Sequence, residues 1–336
     1  MSNRPTFRWW PLAMLGAILG VVVLTWFFDG LKPELRLDMR SLPPGAGHWL
    51  GTDTLGRDVW LSILAGSQRS ILVSIGAALI GGSIGVGFGS VAAFFGNDRL
   101  RFPLRTYLTG LLLLLIAVYF AAVLWPTISS TGQVLAGALI VLLLVVSVVA
   151  IWWLLKRFGV LAGRMTFPLD TITQRFIEVI SVIPRLYLIV AFAMIIPINM
   201  FTLIMLFAVT SWDVMARMVR AEMLKVREMT YIESARVIGL SESKVFFRHA
   251  LPNAIGPVAT QVCFTISGLL IAEATLSFIG VGISPETVSW GSIIHGYLEN
   301  LQAWWLAVFP GICIYLAVIS LHAVGNDLDR MYHSKH

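Results

Sequence analysis

The sequence predicts an all-α protein, a polytopic membrane helical bundle of about eight transmembrane helices. Three observations carry that prediction. Of the 336 residues, 57% are hydrophobic and only 12% charged, against roughly 45–50% and about 25% in ordinary soluble chains. The mean hydropathy is +0.84. Runs free of Asp, Glu, Lys and Arg recur along the chain at about the 20-residue length that an apolar helix needs to cross a bilayer.

Taken in order, the first expected span is Trp10 to Phe28, an uncleaved helix because it is long for a signal-peptide apolar region and no A-x-A site follows. Ser70 to Asn97 is the second. The long run from Thr106 to Leu155 is divided by Pro126 and the polar stretch Thr127 to Gln133, giving Tyr107 to Trp125 and Val134 to Leu155. Ile172 to Ile196 and Met200 to Arg217 follow, with Pro197 to Asn199 as their turn, then Asn253 to Ala272 and Trp304 to Ala323. Most tryptophans, Trp125, Trp212 and Trp304 among them, stand near span ends, as interfacial anchoring requires.

Orientation follows from the basic residues, because cytoplasmic loops hold their excess. With the N-terminus inside, eighteen Lys and Arg fall in inside segments and five outside, with Arg185 within a span. Both termini are therefore expected in the cytoplasm. The net charge of +6 is thereby accounted for by topology, which leaves no reason to expect nucleic acid. The only cysteines, Cys263 and Cys313, lie in apolar runs; the histidines are scattered; no Ser/His/Asp set or metal-ligand spacing occurs. No catalysis, cofactor or metal is expected.

The largest inside loop, 217–253, holds signals that a mere connector would not need. Thr230 with Glu233 three residues on reads as a capping box. Tyr231, Ile232, Ala235 and Ile238 share one helical face, Gly239 suits a left-handed C-terminal position, and Ser241 can start a second helix ending before Pro252. A structured amphipathic projection outside the lipid calls for a protein partner to cover it.

The series Glu233, Ser234, Ala235, Gly239, His249, Leu251, Pro252 resembles the EAA loop of permease subunits from bacterial ATP-binding-cassette importers, with Ser234 and His249 departing from the family's Ala and Ile. Further segments are similar to the dipeptide and oligopeptide permeases of the C-subunit type. They are His48-Trp-Leu-Gly-Thr-Asp-Thr-Leu-Gly-Arg-Asp58, Trp212 with Arg217 and Arg220, Glu273-Ala-Thr-Leu-Ser-Phe-Ile-Gly-Val-Gly282, and Trp304 to Gly311 with Gly325-Asn-Asp327. The resemblance implies an inner-membrane permease for peptides or related small solutes. Its partners would be two ATPase subunits, a sister permease in a heterodimer and an extracytoplasmic substrate-binding protein. Such subunits usually have six spans, so a six-helix core plus two inserted helices is implied. The expected segments are an N-terminal helix (1–29), a periplasmic segment (30–69), a second helix (70–98), an inserted hairpin (99–163), a core with its EAA loop (164–330) and a tail (331–336).

Glu233 and Gly239 serve equally as plain helix caps. The Gly51 to Asp58 segment has the glycine spacing of a phosphate-binding loop, but Arg57 and Asp58 occupy the Lys and Ser/Thr places, so ATP hydrolysis belongs to other chains. Gly81, Gly85 and Gly89 recur every fourth residue and suit close helix contact, within the chain or between subunits. Charges within spans are costly. Glu178 and Asp213 are placed near the cytoplasmic interface. Arg185 either pairs with an acid or lines a route for a peptide carboxylate, and Glu273 either gates the path or fixes a bend. With Trp212, these two are the candidate pathway residues. The alternative from another class is an ion-coupled secondary transporter that uses Glu178, Arg185, Asp213 and Glu273 as a relay, although no inverted repeat accompanies it.

Overall fold

The computed structural model describes residues 9–27, 33–45, 47–97, 101–119, 134–158, 164–166, 168–193, 195, 198–281 and 287–333. The helices are α1 (Trp9–Phe27), α2 (Val59–Phe95), α3 (Leu104–Tyr119), α4 (Val134–Arg157), α5 (Leu169–Val182), α6 (Arg185–Ala193), α7 (Met200–Arg227), α8 (Thr230–Val237), α9 (Glu242–Val245), α10 (Leu251–Ala254), α11 (Val258–Ile279), α12 (Trp290–Glu299) and α13 (Trp305–His333). Two three-residue strands, β1 (Arg101–Pro103) and β2 (Arg164–Thr166), pair antiparallel. Residues 1–94 with 173–336 form one compact unit and 95–172 another.

In the smaller unit α3 packs on α4, and β1, which leads into α3, pairs with β2. Trp152 donates to the Thr106 hydroxyl at 3.4 Å, and Asn97 bonds Thr171. The turn expected at Pro126 to Gln133 lies outside the described residues.

In the larger unit, α2, α7, α11 and α13 are each long and apolar enough to cross a membrane, and α5 with α6 makes a fifth span if counted as one. Expected boundaries shift because apolar runs mark only the part in lipid, whereas the helices continue into water. Thus α2 starts at Val59, α7 runs to Arg227 and α13 to His333. The span expected as one helix from Ile172 to Ile196 is instead bent by 77° between Val182 and Arg185. Pro184 is the cause: it removes a backbone donor and crowds the preceding turn.

Gly81, Gly85 and Gly89 lie against α7. A Cβ on them would stand 2.8, 2.5 and 2.4 Å from the carbonyl oxygens of Ala208, Trp212 and Ala216. Two four-residue periods thus mesh backbone to backbone inside one chain, the packing that small residues permit. One core gathers Val59, Ile63, Leu270, Trp290, Trp305 and Leu306, and a second gathers Val73, Ala77, Ile189, Leu203, Phe207 and Leu269. Helix α12, which no apolar run announced, packs on α11 and α13. Gly291 lets its backbone approach, since a Cβ there would lie 2.3 Å from the Ala274 oxygen.

Candidate functional site

The 217–253 loop is a helical elbow clamped to the end of α2. Met229, in extended conformation, is the N-cap of α8. The expected box therefore does not form: Thr230 is the first helical residue and Glu233 the fourth, too far along to reach back to the cap. Glu233 and Ser234 are exposed, and Ser234 bonds back to the Thr230 carbonyl. Of the expected apolar face, Ile232 and Ala235 are buried, but Ile238 is 79% exposed, with Val237 at 83% beside it. Ile238 points away because it is already the C-cap, where the turn swings outward.

Gly239 has φ +87° and closes the helix. Its N–H bonds the Arg236 carbonyl and the Leu240 N–H the Ala235 carbonyl, the paired arrangement of a Schellman end. Nothing lies within 4 Å of a Cβ placed there, so conformation alone calls for glycine.

Ser241 occupies the N-cap of α9 without a capping bond from its hydroxyl. The second helix does not end before Pro252. It passes through a wide π-turn, Phe246–Ala250, into α10 with Pro252 in the first turn. Widening the helix gives the proline ring room against the preceding turn and releases the bond it cannot make. The His249 carbonyl accepts from the Asn253 amide at 2.6 Å; Leu251 is half-buried and Pro252 exposed.

The residues that hold this elbow were not found from sequence. Arg227 donates to the Ala93 carbonyl at 2.9 Å, Arg236 pairs with Glu242 at 3.0 Å and lies over the Phe94 ring, and Phe94 packs on Phe246. Phe94 is fully buried in the last turn of α2, and no local pattern marks which loop residues cover it. A pocket of about 450 Å³ opens between Arg227, Met229, Glu233 and Arg236. Burial pushes the Tyr231 hydroxyl above its usual pKa.

The span charges group differently. Asp213, 4% exposed, accepts from Arg217 at 2.8 Å and from Ser181 at 3.1 Å, and Arg185 stands 3.9 Å from its other oxygen while bonding the Thr210 carbonyl. Arg185 thus pairs with an acid and fastens the α5–α6 bend to α7. Trp212 is buried in a cluster with Ile177 of α5 and Ala216, its ring 5.6 Å from Phe88. Glu178 pairs with Arg175. Glu273 is fully enclosed, each oxygen taking one hydroxyl, from Ser70 and Ser277, both at 2.8 Å. Ser70 in turn accepts from the Trp290 N–H, so Glu273 joins α2, α11 and α12 ahead of the left-handed Gly280.

The 48–58 segment folds as a compact plug. Asp53 Oδ1 accepts from the N–H groups of Leu55 and Arg57 at 2.9 and 2.7 Å; Thr52 bonds Met39 and Leu42; His48 meets Asp58 at 2.6 Å. Gly51 and Gly56 take positive φ, and Trp305 donates to the Thr52 carbonyl. Burial raises the Asp53 pKa, and the bonds from Arg57 and Leu55 oppose it. A raised folded-state pKa means that the folded protein binds the proton more tightly. The charge therefore costs stability above that pKa, and the cost disappears as pH falls through it toward 3.8. Asp53→Asn, which keeps one acceptor oxygen and drops the charge, should melt at or above the parent at neutral pH, the gap closing on acidification. Asp53→Ala should lose about 2 kcal/mol. Thermal melts of the purified protein at several pH values check both.

Among the described residues no group of three metal-binding side chains occurs. A family profile described as "Binding-protein-dependent transport system inner membrane component" matches residues 157–331. The chain is 31% identical over 93% of its length to a protein of Brucella ovis named as a peptide permease, covering 84% of that relative. It is 25% identical over 96% of its length to the oligopeptide transport system permease protein OppC of Bacillus subtilis, covering 85% of it. To the dipeptide transport system permease protein DppC of the same organism it is 26% identical, over 87% of this chain and 70% of the relative.

Proposed function

The chain belongs to the binding-protein-dependent transport system inner membrane components, and from that membership we propose that it passes peptides through the bilayer when ATPases pull on the 217–253 elbow. It is a multi-pass inner-membrane permease subunit of an ATP-binding-cassette importer, not an enzyme, and its system includes ATPase and substrate-binding partners. The finer reading has two ATPase subunits, a sister permease forming a heterodimer, and both termini in the cytoplasm. The peptide cargo is carried over from the names of the relatives.

One observation carries the coupling role. The elbow is braced from behind by Arg227, Arg236, Phe94 and Phe246, while Val237, Ile238 and Phe247 stand 83, 79 and 67% exposed on it. A rigidly backed apolar surface beyond the spans suits a lever that docks into a protein cleft. Glu233, Ser234 and Gly239 shape its tip, while His249, Leu251 and Pro252 carry the push into α11. Closed ATPases shift the permease toward its outward-open form only by binding that form more tightly. Arg185 and Trp212, at the α5–α6 bend, and Glu273, at the α2–α11–α12 junction, are the positions where that shift would be felt. The inserted hairpin, 99–163, is an addition to the six-helix permease design.

Reconstituted vesicles test the reading. With both ATPases, the sister subunit and the binding protein present, peptide uptake should require ATP. Uptake that persists without ATP and collapses with an uncoupler would overturn it.

A further inference from the structure

A cavity of about 640 Å³ lies between the start of α2, the start of α7 and the residues before α12, within the roughly 300–1,000 Å³ range of small-ligand pockets. Its chemistry is one-sided. Arg57 and Arg69 supply two guanidinium groups, Gln68 and Asn199 two amides, and Leu35 and Leu72 part of an apolar wall; none of its described lining residues is acidic.

Arg69 is incompletely satisfied. One terminal nitrogen donates to the Thr287 hydroxyl, but its Nε is buried with no hydrogen-bond partner. Glu273 acts on it electrostatically, yet both Glu273 oxygens are already held by Ser70 and Ser277. Arg57 is 6% exposed, with Asp53 as its charge neighbour. A buried N–H donor without an acceptor is costly, and the half-buried Arg69 side chain that carries it lines the cavity. The natural complement is a planar or tetrahedral oxyanion, which accepts from the fork of an arginine. The N-terminus of α7, at Asn199 and Met200, lines the same cavity and adds the partial positive charge of a 28-residue helix.

We propose that this cavity binds an anionic oxygen group, a carboxylate or phosphate borne on an amphipathic molecule, with Arg69 as its principal ligand. On the orientation given above it lies at the outer edge of the spans, where two sources meet: the C-terminal carboxylate of an incoming peptide, which rests on the proposed cargo, and the phosphate of an outer-leaflet lipid. Arg57 steers the anion toward the cavity, and the Gln68 and Asn199 amides supply further donors.

The test uses the assembled importer in phosphatidylcholine nanodiscs, with Ala65→Cys as reporter in a background lacking Cys263 and Cys313. The rate of alkylation of that cysteine is read with N-acetyl-dialanine, with its C-terminal amide, and in nanodiscs containing phosphatidylglycerol. Slowing by the acid but not the amide identifies the peptide carboxylate, and slowing by phosphatidylglycerol alone identifies the lipid. In either case Arg69→Gln should weaken protection by at least about tenfold, the loss of one charge-assisted bond, and Arg69→Lys should restore part of it. No protection by any of the three, or protection unchanged in Arg69→Gln, overturns the proposal. ATP-driven uptake is measured on the same preparation: a failure of peptide uptake with protection intact sinks the cargo and leaves the anion site standing.

Discussion

Gly239→Val should leave the protein in the membrane but reduce co-purification of the ATPase subunits by about tenfold or more. The φ of +87° at this position costs a β-carbon residue about 1–2 kcal/mol, and a β-branched one is a poor occupant of that region. Space is not the obstacle, because the site is open. Valine would instead drive the backbone back to negative φ, releasing the bonds to the Ala235 and Arg236 carbonyls and swinging Val237 and Ile238 out of position. Asparagine tolerates the left-handed region better than any other ordinary side chain, so Gly239→Asn should keep most of the binding. That pair separates a conformational requirement from a steric one. Unchanged ATPase recovery with Gly239→Val would refute the lever.

That glycine was legible in the sequence because a Schellman end is a local event, written in consecutive residues. Its neighbours were less so. Thr230 and Glu233 have the spacing of a capping box, yet the N-cap falls one residue earlier, at Met229; a register of one residue is set by how Ile232 and Ala235 are buried, which no local pattern encodes. Pro252 looked like a stop, but a π-turn absorbs it. Apolar runs located the spans well and their ends poorly, as with α7 running on to Arg227. The pairing of Arg185 with Asp213, 28 positions apart, needed the bend at Pro184 to bring them together. Ser70 and Glu273 meet across 203 positions, a distance at which only packing speaks. Sequence therefore identified the residue types that a lipid environment makes expensive, and the fold supplied their partners.

The same distinction yields the other large effect, at Gly85. A glycine inside a helix is ordinarily a weakness, and replacing it by alanine gains about 1 kcal/mol. At Gly87, where nothing lies within 4 Å of a new Cβ, Gly87→Ala should therefore hold or raise the melting temperature. At Gly85 the added carbon would meet the Trp212 carbonyl at 2.5 Å, the Met215 side chain at 2.8 Å and the Ala216 nitrogen at 2.9 Å. Two of those three are backbone atoms of α7 and cannot turn aside, so the helices must separate along the whole Gly81–Gly85–Gly89 seam. Overpacking of this kind costs about 1–3 kcal/mol, and Gly85→Val should exceed Gly85→Ala. Separation of α2 from α7 also loosens Phe88 from Trp212 and, through Arg227 and Ala93, the brace behind the elbow. Gly85→Val should accordingly lose both thermal stability and ATP-driven uptake, whereas Gly87→Ala keeps both. Equal melting temperatures for the two alanine variants would show that the seam does not hold the helices together.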